Sequence, residues 1–485
     1  MRKIICCILT FLILLSVLSC ANSDVKTDIT TTAASTETET STESAEPFPD
    51  VAKTDYQGSS FTILYPGWGL YNDYFFSDEQ NGDQMNDAIY ERKRRVEEYL
   101  NIKIGQITPG YIGEILPAVK KSVMAGGDDY QLVLTHCIQD LGSMMTAGYL
   151  TDWNTIPYVD MSRSYWNSSM NDSLSVNGKL YYAASSFMIA DPNAFLFNKE
   201  MIDQYNLDDP YQVVRDGKWT IDKLTEMTRA VTQDINGDGI YDANDLYGLG
   251  AENDWMLISF MYGCNQFMVQ KNSNDEYELS IYNDKMITLI NKLNDLFYNG
   301  NSVFLWKYQA PTEDTVEINT GRVLFEIITI NSSKKYRQSE VDFGVLPFPK
   351  FDEAQEQYVS LDWSGLMCIP TTAQNLDMIG AANELLAYES LDTTVPAYYD
   401  VLLTGKFARD DETVEMLDII FSNIVYDYGM NFCGFSSGFN NLFYTIPQLV
   451  GQNKSADFAS WYAKYEKSAQ TSLKNLARDI DKLGQ

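Results

Sequence analysis

The chain holds a single histidine, His136, and its cations are few: 35 lysines and arginines stand against 67 aspartates and glutamates, a formal charge of −32. A surface this negative repels polyanions, which excludes nucleic acid as a partner. With one histidine, a Ser/His/Asp hydrolase would rest on the stretch LTHC, which has no GxSxG nucleophile elbow around it. Cysteine is scarce as well, seven residues in all. Beyond Cys20 only Cys137, Cys264, Cys368 and Cys433 remain, too sparse for a disulfide scaffold and without the CxxC spacing of zinc sites. They read as buried thiols, with one or two bridges left open. No period of about 20 to 50 residues recurs, which argues against a solenoid or propeller.

What the chain has is apolar and aromatic material, 45% and 13% of 485 residues. That length exceeds one ordinary core and predicts two domains of roughly 200 residues, with room for a cleft between them. The N-terminus, MRKIICCILTFLILLSVLSC, places Arg2 and Lys3 before an apolar run from Ile4 to Leu18, which is the pattern of a secretory signal. Val17-Leu18-Ser19 before Cys20 is similar to a bacterial lipobox, with leucine beside the small residue as a departure, so residues 1–19 are read as a lipoprotein signal and Cys20 as the lipidated residue. Loss of Arg2 and Lys3 takes the formal charge from −32 to −34. Residues 20–55 begin with a Ser/Thr/Glu stretch that lacks apolar periodicity and reads as a disordered tether to the outer face of the cell membrane.

In the body, SSFTILYP reads as a strand, GDQMNDAIYERKRRVEEYLNIKI as helix then strand, and YQLVLTHC as a further strand. Strand, helix, strand predicts an α/β fold with a parallel sheet, and in such sheets ligands approach the carboxyl ends of the strands. Trp68, in the loop PGWGLYNDYFF, and His136 fall there; Trp68 is weighed evenly between ligand contact and hydrophobic cap, and His136 is read chiefly as structural. KWTIDKLTEMTRAV predicts a helix capped by Thr220, and DKMITLINKLNDLFYNG one that stops at Gly300. GRVLFEIITI, DFGVLPFPK and WSGLMCIP predict strands, and the tail from Leu385 is mainly helical.

The loop TQDINGDGIYDAND carries an EF-hand spacing: Asp234, Asn236, Asp238, Ile240 through its carbonyl, Asp242 and Asp245, turned by Gly239. Calcium takes six to eight hard oxygens, which alternating carboxylates supply, although Asp245 is shorter than the usual terminal glutamate. The glycines after Asp245 argue against an exiting helix, and only one such loop exists, which argues against a paired sensor or a dockerin. A structural Ca2+ site is expected, with an acidic metal-free turn as the alternative.

WTIDKLTEMTRAVTQDINGDGIYDANDLYGL resembles the corresponding segment of extracellular solute-binding proteins of the family 1 type, the lipoprotein sugar-binding subunits of bacterial ABC importers. NGKLYYAA, FGVLPFPK and VPAYYDVLLTGKFARDDETVEMLDII extend the resemblance over nearly the whole chain. It implies a two-lobe, type II periplasmic-binding-protein-like fold, with several segments crossing the hinge. The first lobe would hold 56–184 plus 325–386 and the second 185–324 plus 387–485. It also implies a monomer that captures a sugar by hinge closure and delivers it to a permease pair with an ATPase. Sugar faces stack on aromatic rings while polar side chains meet the hydroxyls. By local context Trp68, Trp255, Tyr262 and Trp363 are the expected ring contacts, with Asp73 and Asp362 as hydroxyl partners, and core packing is a near-equal alternative for each ring. The competing readings are a secreted carbohydrate-active enzyme, which needs two carboxylates at a fixed separation that sequence does not display, and a calcium-dependent adhesive lipoprotein. An anionic sugar is disfavoured by the charge unless Arg322, Lys334, Lys335 and Arg337 form a basic patch.

Overall fold

Apolar residues at strand and helix spacing account for most of the architecture. Ser59–Leu64 turns Phe61 and Ile63 inward. Gln84–Leu100 buries Met85, Ile89, Val96 and Leu100 on one stripe and begins at Asp83, whose side chain accepts the Asn86 N–H. In this computed structural model the described residues are 46–251, 254–274, 276–306, 316–403 and 411–483. The signal 1–19, Cys20 and most of the tether lie outside them. All described strands and helices belong to the unit Pro49–Gln485.

Two mixed sheets organise the unit. In the first, Ser59–Leu64 lies parallel to Ile102–Ile107 and to Leu132–Thr135, and Leu366–Cys368 adds an antiparallel edge on Leu132–Thr135. The second sheet runs in the order Phe343–Leu346, Asn193–Asn198, Val323–Thr329, Tyr247–Ala251, Val303–Leu305. Its central strand, Val323–Thr329, is buried along its whole length, parallel to Tyr247–Ala251 and antiparallel to Asn193–Asn198.

That pairing changes the expected lobe assignment. The segment 325–386 divides: Val323–Thr329 and Phe343–Leu346 belong to the second sheet, and only Leu366–Cys368 returns to the first. The run of apolar residues in GRVLFEIITI suits either sheet, so its partner is set by topology, not by pattern. Part of 387–485 also sits with the first sheet, because Leu376–Ser390 and Thr394–Leu403 pack on Gln84–Leu100. There the buried Arg92 donates to Ser390 and Thr394 and to the Phe75 carbonyl, under the ring of Phe187.

Among the described residues, three segments connect the halves. Ala183 pairs with Met367 on the first sheet's side, and Pro192 pairs with Asp362 where the chain enters the second. Ser360–Leu361 then pairs in parallel with Ile424–Val425, from which the chain passes to Tyr428–Asn431. The predicted helices stand where expected: Ile221–Val231 with the Thr220 hydroxyl accepting from Lys223 N–H, and Asp284–Tyr298 capped by Asn283. All four described cysteines are buried and free. Among the described residues, no helix is long and apolar enough to cross a membrane.

Candidate functional site

The carboxyl ends of the first sheet's strands meet the crossing segments. Trp68 follows Ser59–Leu64 at the start of the short helix Gly69–Tyr74, and its half-buried ring lies 4.8 Å from that of His136, just beyond Leu132–Thr135. The next residue, Cys137, donates its thiol to the Trp363 carbonyl at 3.4 Å and accepts at its own carbonyl from Asn431 Nδ2 at 2.8 Å. Trp363, on the second crossing segment, meets Trp255 edge to face at 4.8 Å, and Trp255 belongs to the second half. Two ring pairs, Trp68–His136 on one half and Trp363–Trp255 at the crossing, are thus linked through the Cys137 thiol and the Trp363 carbonyl. Gly365 permits it: a Cβ there would overlap the Tyr71 hydroxyl and the Thr135 carbonyl, which are themselves bonded at 2.5 Å.

Of the expected ligand residues, Trp255 and Trp363 are brought into contact and Trp68 stands against His136, whereas Asp73, Asp362 and Tyr262 have other partners. Asp73 is exposed and paired with Lys334 at 2.5 Å. Asp362 is buried: one carboxylate oxygen accepts from the Asp191 and Ser364 N–H groups at 2.7 and 3.0 Å, the other from the Ser364 and Tyr426 hydroxyls. Its full set of donors makes it a tie between two crossing segments, with no lone pair in reach of a ligand. Tyr262 is fully buried, and its hydroxyl donates to Asp427 at 2.9 Å. Asp427 also accepts from the Met268 and Gly429 N–H groups, joining the second half to the third crossing segment.

Asp191 carries no signal in the sequence. It accepts from Asn331 N–H at 2.8 Å, and Asn331 in turn accepts from the Tyr74 hydroxyl at 2.8 Å. Burial pushes the Asp191 carboxyl up to about 7, with the neighbouring Asp362 adding to the shift. Asp362 is raised by burial as well. His136 moves the opposite way, held down at about 4 by burial, and is therefore a neutral imidazole at physiological pH. Two buried polar atoms here have no partner among the described residues, Trp363 Nε1 and Asn431 Oδ1. Neither is legible in the sequence, because the loss of a partner is visible only after folding.

Three of the four basic residues considered for an anion site, Lys334, Lys335 and Arg337, are occupied. Lys334 binds Asp73, Lys335 lies 3.2 Å from Glu317 and 3.5 Å from Glu326, and Arg337 donates to the Val401 carbonyl. A GxSxG spacing does occur, at Gly434–Gly438 away from LTHC, but it begins inside the 3-10 turn Cys433–Phe435 and not at the end of a strand. Ser436 there caps the helix Ser437–Phe443 by accepting from Phe439 N–H, and it receives the Ser472 hydroxyl. That is a helix start, not a nucleophile elbow.

In the acidic loop the side chains close turns. Asp234 accepts from Gly237 and Gly239, Asn236 from Asp238, Asp238 from Ile240, and Asp242 from Asn244. Asp245 is fully buried and accepts from Ile235 and Asp242. Ile240 is exposed. The donor set is of the hard-oxygen kind that Ca2+ takes, but among the described residues no three or more His, Cys, Asp or Glu side chains are gathered closely enough to hold a metal ion.

No protein-family model and no curated protein sequence matches the chain. Solved structures do. UgpB from Mycobacterium tuberculosis, in complex with glycerophosphocholine, superposes with a TM-score of 0.57 at 16% identity over 86% of this chain and 99% of that one. The GacH receptor of Streptomyces glaucescens, solved unliganded and with acarbose, gives 0.53 at 12% over 86% and 99%. The ABC substrate-binding protein Lmo0181 from Listeria monocytogenes, in complex with cycloalternan, gives 0.50 at 12% over 88% and 98%. At these identities the likeness is one of fold, and it covers nearly the whole of each neighbour: the chain has the two-lobe α/β fold of ABC solute-binding proteins.

Proposed function

We propose that the protein captures a carbohydrate, an oligosaccharide in the first instance, between its two halves and hands it to an ABC importer. The observation that carries this reading is the placement of aromatic rings at the crossing, Trp68 beside His136 and Trp255 against Trp363, with Cys137 linking the two pairs. Indole faces match the apolar faces of sugar rings, and a cleft at the carboxyl ends of the strands is where open α/β sheets bind ligands. GacH with acarbose and Lmo0181 with cycloalternan show that the fold accommodates such ligands. A binding role is favoured over a hydrolytic one because the buried carboxylates at the crossing, Asp191 and Asp362, are tied to backbone N–H groups and hydroxyls. The lipobox-like Val17-Leu18-Ser19-Cys20 supports anchoring by an acyl chain outside the cell.

Calcium belongs to the same reading as a rivet of the loop 234–245. Its support is the spacing of oxygen donors and the burial of Asp245 without an ion pair among the described residues. Differential scanning fluorimetry of the mature body tests both parts. A bound saccharide raises the melting temperature by mass action, about 2.7 kcal/mol of stabilisation at a hundredfold excess over Kd, and a chelator lowers it. Release of reducing ends from any saccharide would replace the binding role by an enzymatic one.

A further inference from the structure

The crossing segments are tied by one continuous line of hydrogen bonds, and two acids stand in the middle of it. The line starts in the first half, where the Tyr74 hydroxyl donates to Asn331 Oδ1 at 2.8 Å; Asn331 lies in the turn Ile330–Tyr336 that follows the central strand of the second sheet. The Asn331 N–H donates to the Asp191 carboxylate at 2.8 Å, and the Asp191 N–H to Asp362 Oδ1 at 2.7 Å. Asp191 is on the first crossing segment and Asp362 on the second. The Tyr426 hydroxyl, on the third, reaches Asp362 Oδ2 at 3.4 Å and accepts in turn from Asn167 Nδ2 at 3.2 Å. Both acids are buried. Facing them are Tyr71 and Tyr74 of the helix Gly69–Tyr74, Cys137, Tyr398 of Thr394–Leu403, Tyr426, and the cation Lys334. Burial raises the four tyrosines and the thiol, so all five are neutral at physiological pH. Lys334 is half spent, because it also pairs with the exposed Asp73. The Tyr398 hydroxyl is buried and donates to neither acid.

We infer that the Asp191–Asp362 pair is a proton-linked hinge lock: a proton on the pair holds the crossing segments in this arrangement, and its loss to solvent drives the halves apart until water reaches the carboxylates. With both acids ionised, two like charges would stand in a buried place with one shared cation, which costs far more there than in water. Burial accordingly raises both carboxyls, Asp191 to about 7. An acid raised in one arrangement holds its proton more tightly there than in the other, so lowering the pH favours the tied arrangement and raising it the open one. The inference rests on the reading that a guest is captured between two halves, and adds its regulation: capture in a mildly acid medium, release in an alkaline one.

Small-angle X-ray scattering of the guest-free mature body, at constant ionic strength and over a range of pH, tests this without any saccharide. The radius of gyration should rise as the pH passes upward through about 7, with the far-UV circular dichroism unchanged. Asp191→Asn, which keeps an oxygen for the Asn331 N–H and carries no charge, should hold the smaller radius across the same range. Tyr74→Phe cuts the line without touching either acid and should move the transition to lower pH. A radius indifferent to pH, a rise accompanied by loss of helix signal, or the wild-type transition in Asp191→Asn would overturn the inference and leave the carbohydrate reading intact. A saccharide that binds should do so with an affinity that falls by up to about tenfold per pH unit above this transition, the limit for one linked proton; affinity independent of pH would overturn the inference as well. Binding of no saccharide would overturn the carbohydrate reading, while the scattering still decides the hinge.

Discussion

Single side chains in this protein divide by whether their polar atoms are already spent. Asp362 and Trp363 are chain neighbours, yet one has every oxygen occupied and the other a buried N–H with no acceptor. Asp362→Ala should therefore cost about 2 to 4 kcal/mol of stability, because the Asp191 and Ser364 N–H groups would be left buried and unpaired; chemical denaturation measures this. Asp73→Ala should leave both stability and ligand affinity close to wild type, since its pair with Lys334 is exposed. The pH dependence comes from the buried acids. Asp191 is raised to about 7 and Asp427 to about 6, chiefly by burial. The folded chain thus holds these protons more tightly than the unfolded one, so their stabilising contribution is complete below about pH 4 and is lost as pH rises through 6 to 7. Melting temperature should climb when the pH is lowered from 8 to about 5.5, and Asp191→Asn should flatten part of that slope. An identical slope in the variant would assign the effect to other groups.

At the scale of elements, local sequence was informative wherever a segment carried its own punctuation. Thr220 and Asn283 cap their helices with side-chain oxygens, as polar residues ahead of apolar periods do. Thr220→Ala should cost about 1 kcal/mol. The partner of a strand was not legible in the same way. GRVLFEIITI was readable as a strand, but its place at the centre of the second sheet depends on pairing with Asn193–Asn198 and Tyr247–Ala251, which lie far away in the chain. Gly365 is a similar case: its lack of a side chain matters only because Tyr71 and Thr135 meet there. Gly365→Ala should destabilise by about 3 kcal/mol through overpacking, with a loss of ligand affinity from the displacement of Trp363. The acidic loop makes its own prediction. A chelator should lower the melting temperature of the wild type and leave that of an Asp234→Asn, Asp238→Asn double variant unmoved; equal response of the two would remove calcium from this loop.

For the whole molecule, the fold class and the two-sheet plan were legible in alternating strands and helices and in the family resemblance, while the surroundings of the candidate site residues were not. Trp68, Trp255 and Trp363 stood in loops at strand or helix ends, and position alone pointed to them. Tyr262 sat in the same kind of context but ended in the core, because Asp427 on a distant segment holds its hydroxyl. His136 was singled out at a strand end but read chiefly as structural, and Asn431 gave no signal of its own; both are placed by Cys137, which binds Trp363 and Asn431 at once. What joins the scales is aromatic rings at the crossing of two halves; under the proposed function a guest there and closure of the halves stabilise each other. Intrinsic tryptophan fluorescence tests that claim most directly, because three of the chain's eight tryptophans stand in these two ring pairs. Titration of the mature body with neutral oligosaccharides should give a saturable spectral change that is abolished in Trp68→Ala and reduced in Trp363→Phe, with the sugar recovered intact. A spectrum indifferent to every saccharide, or sugar recovered in pieces, would contradict the account.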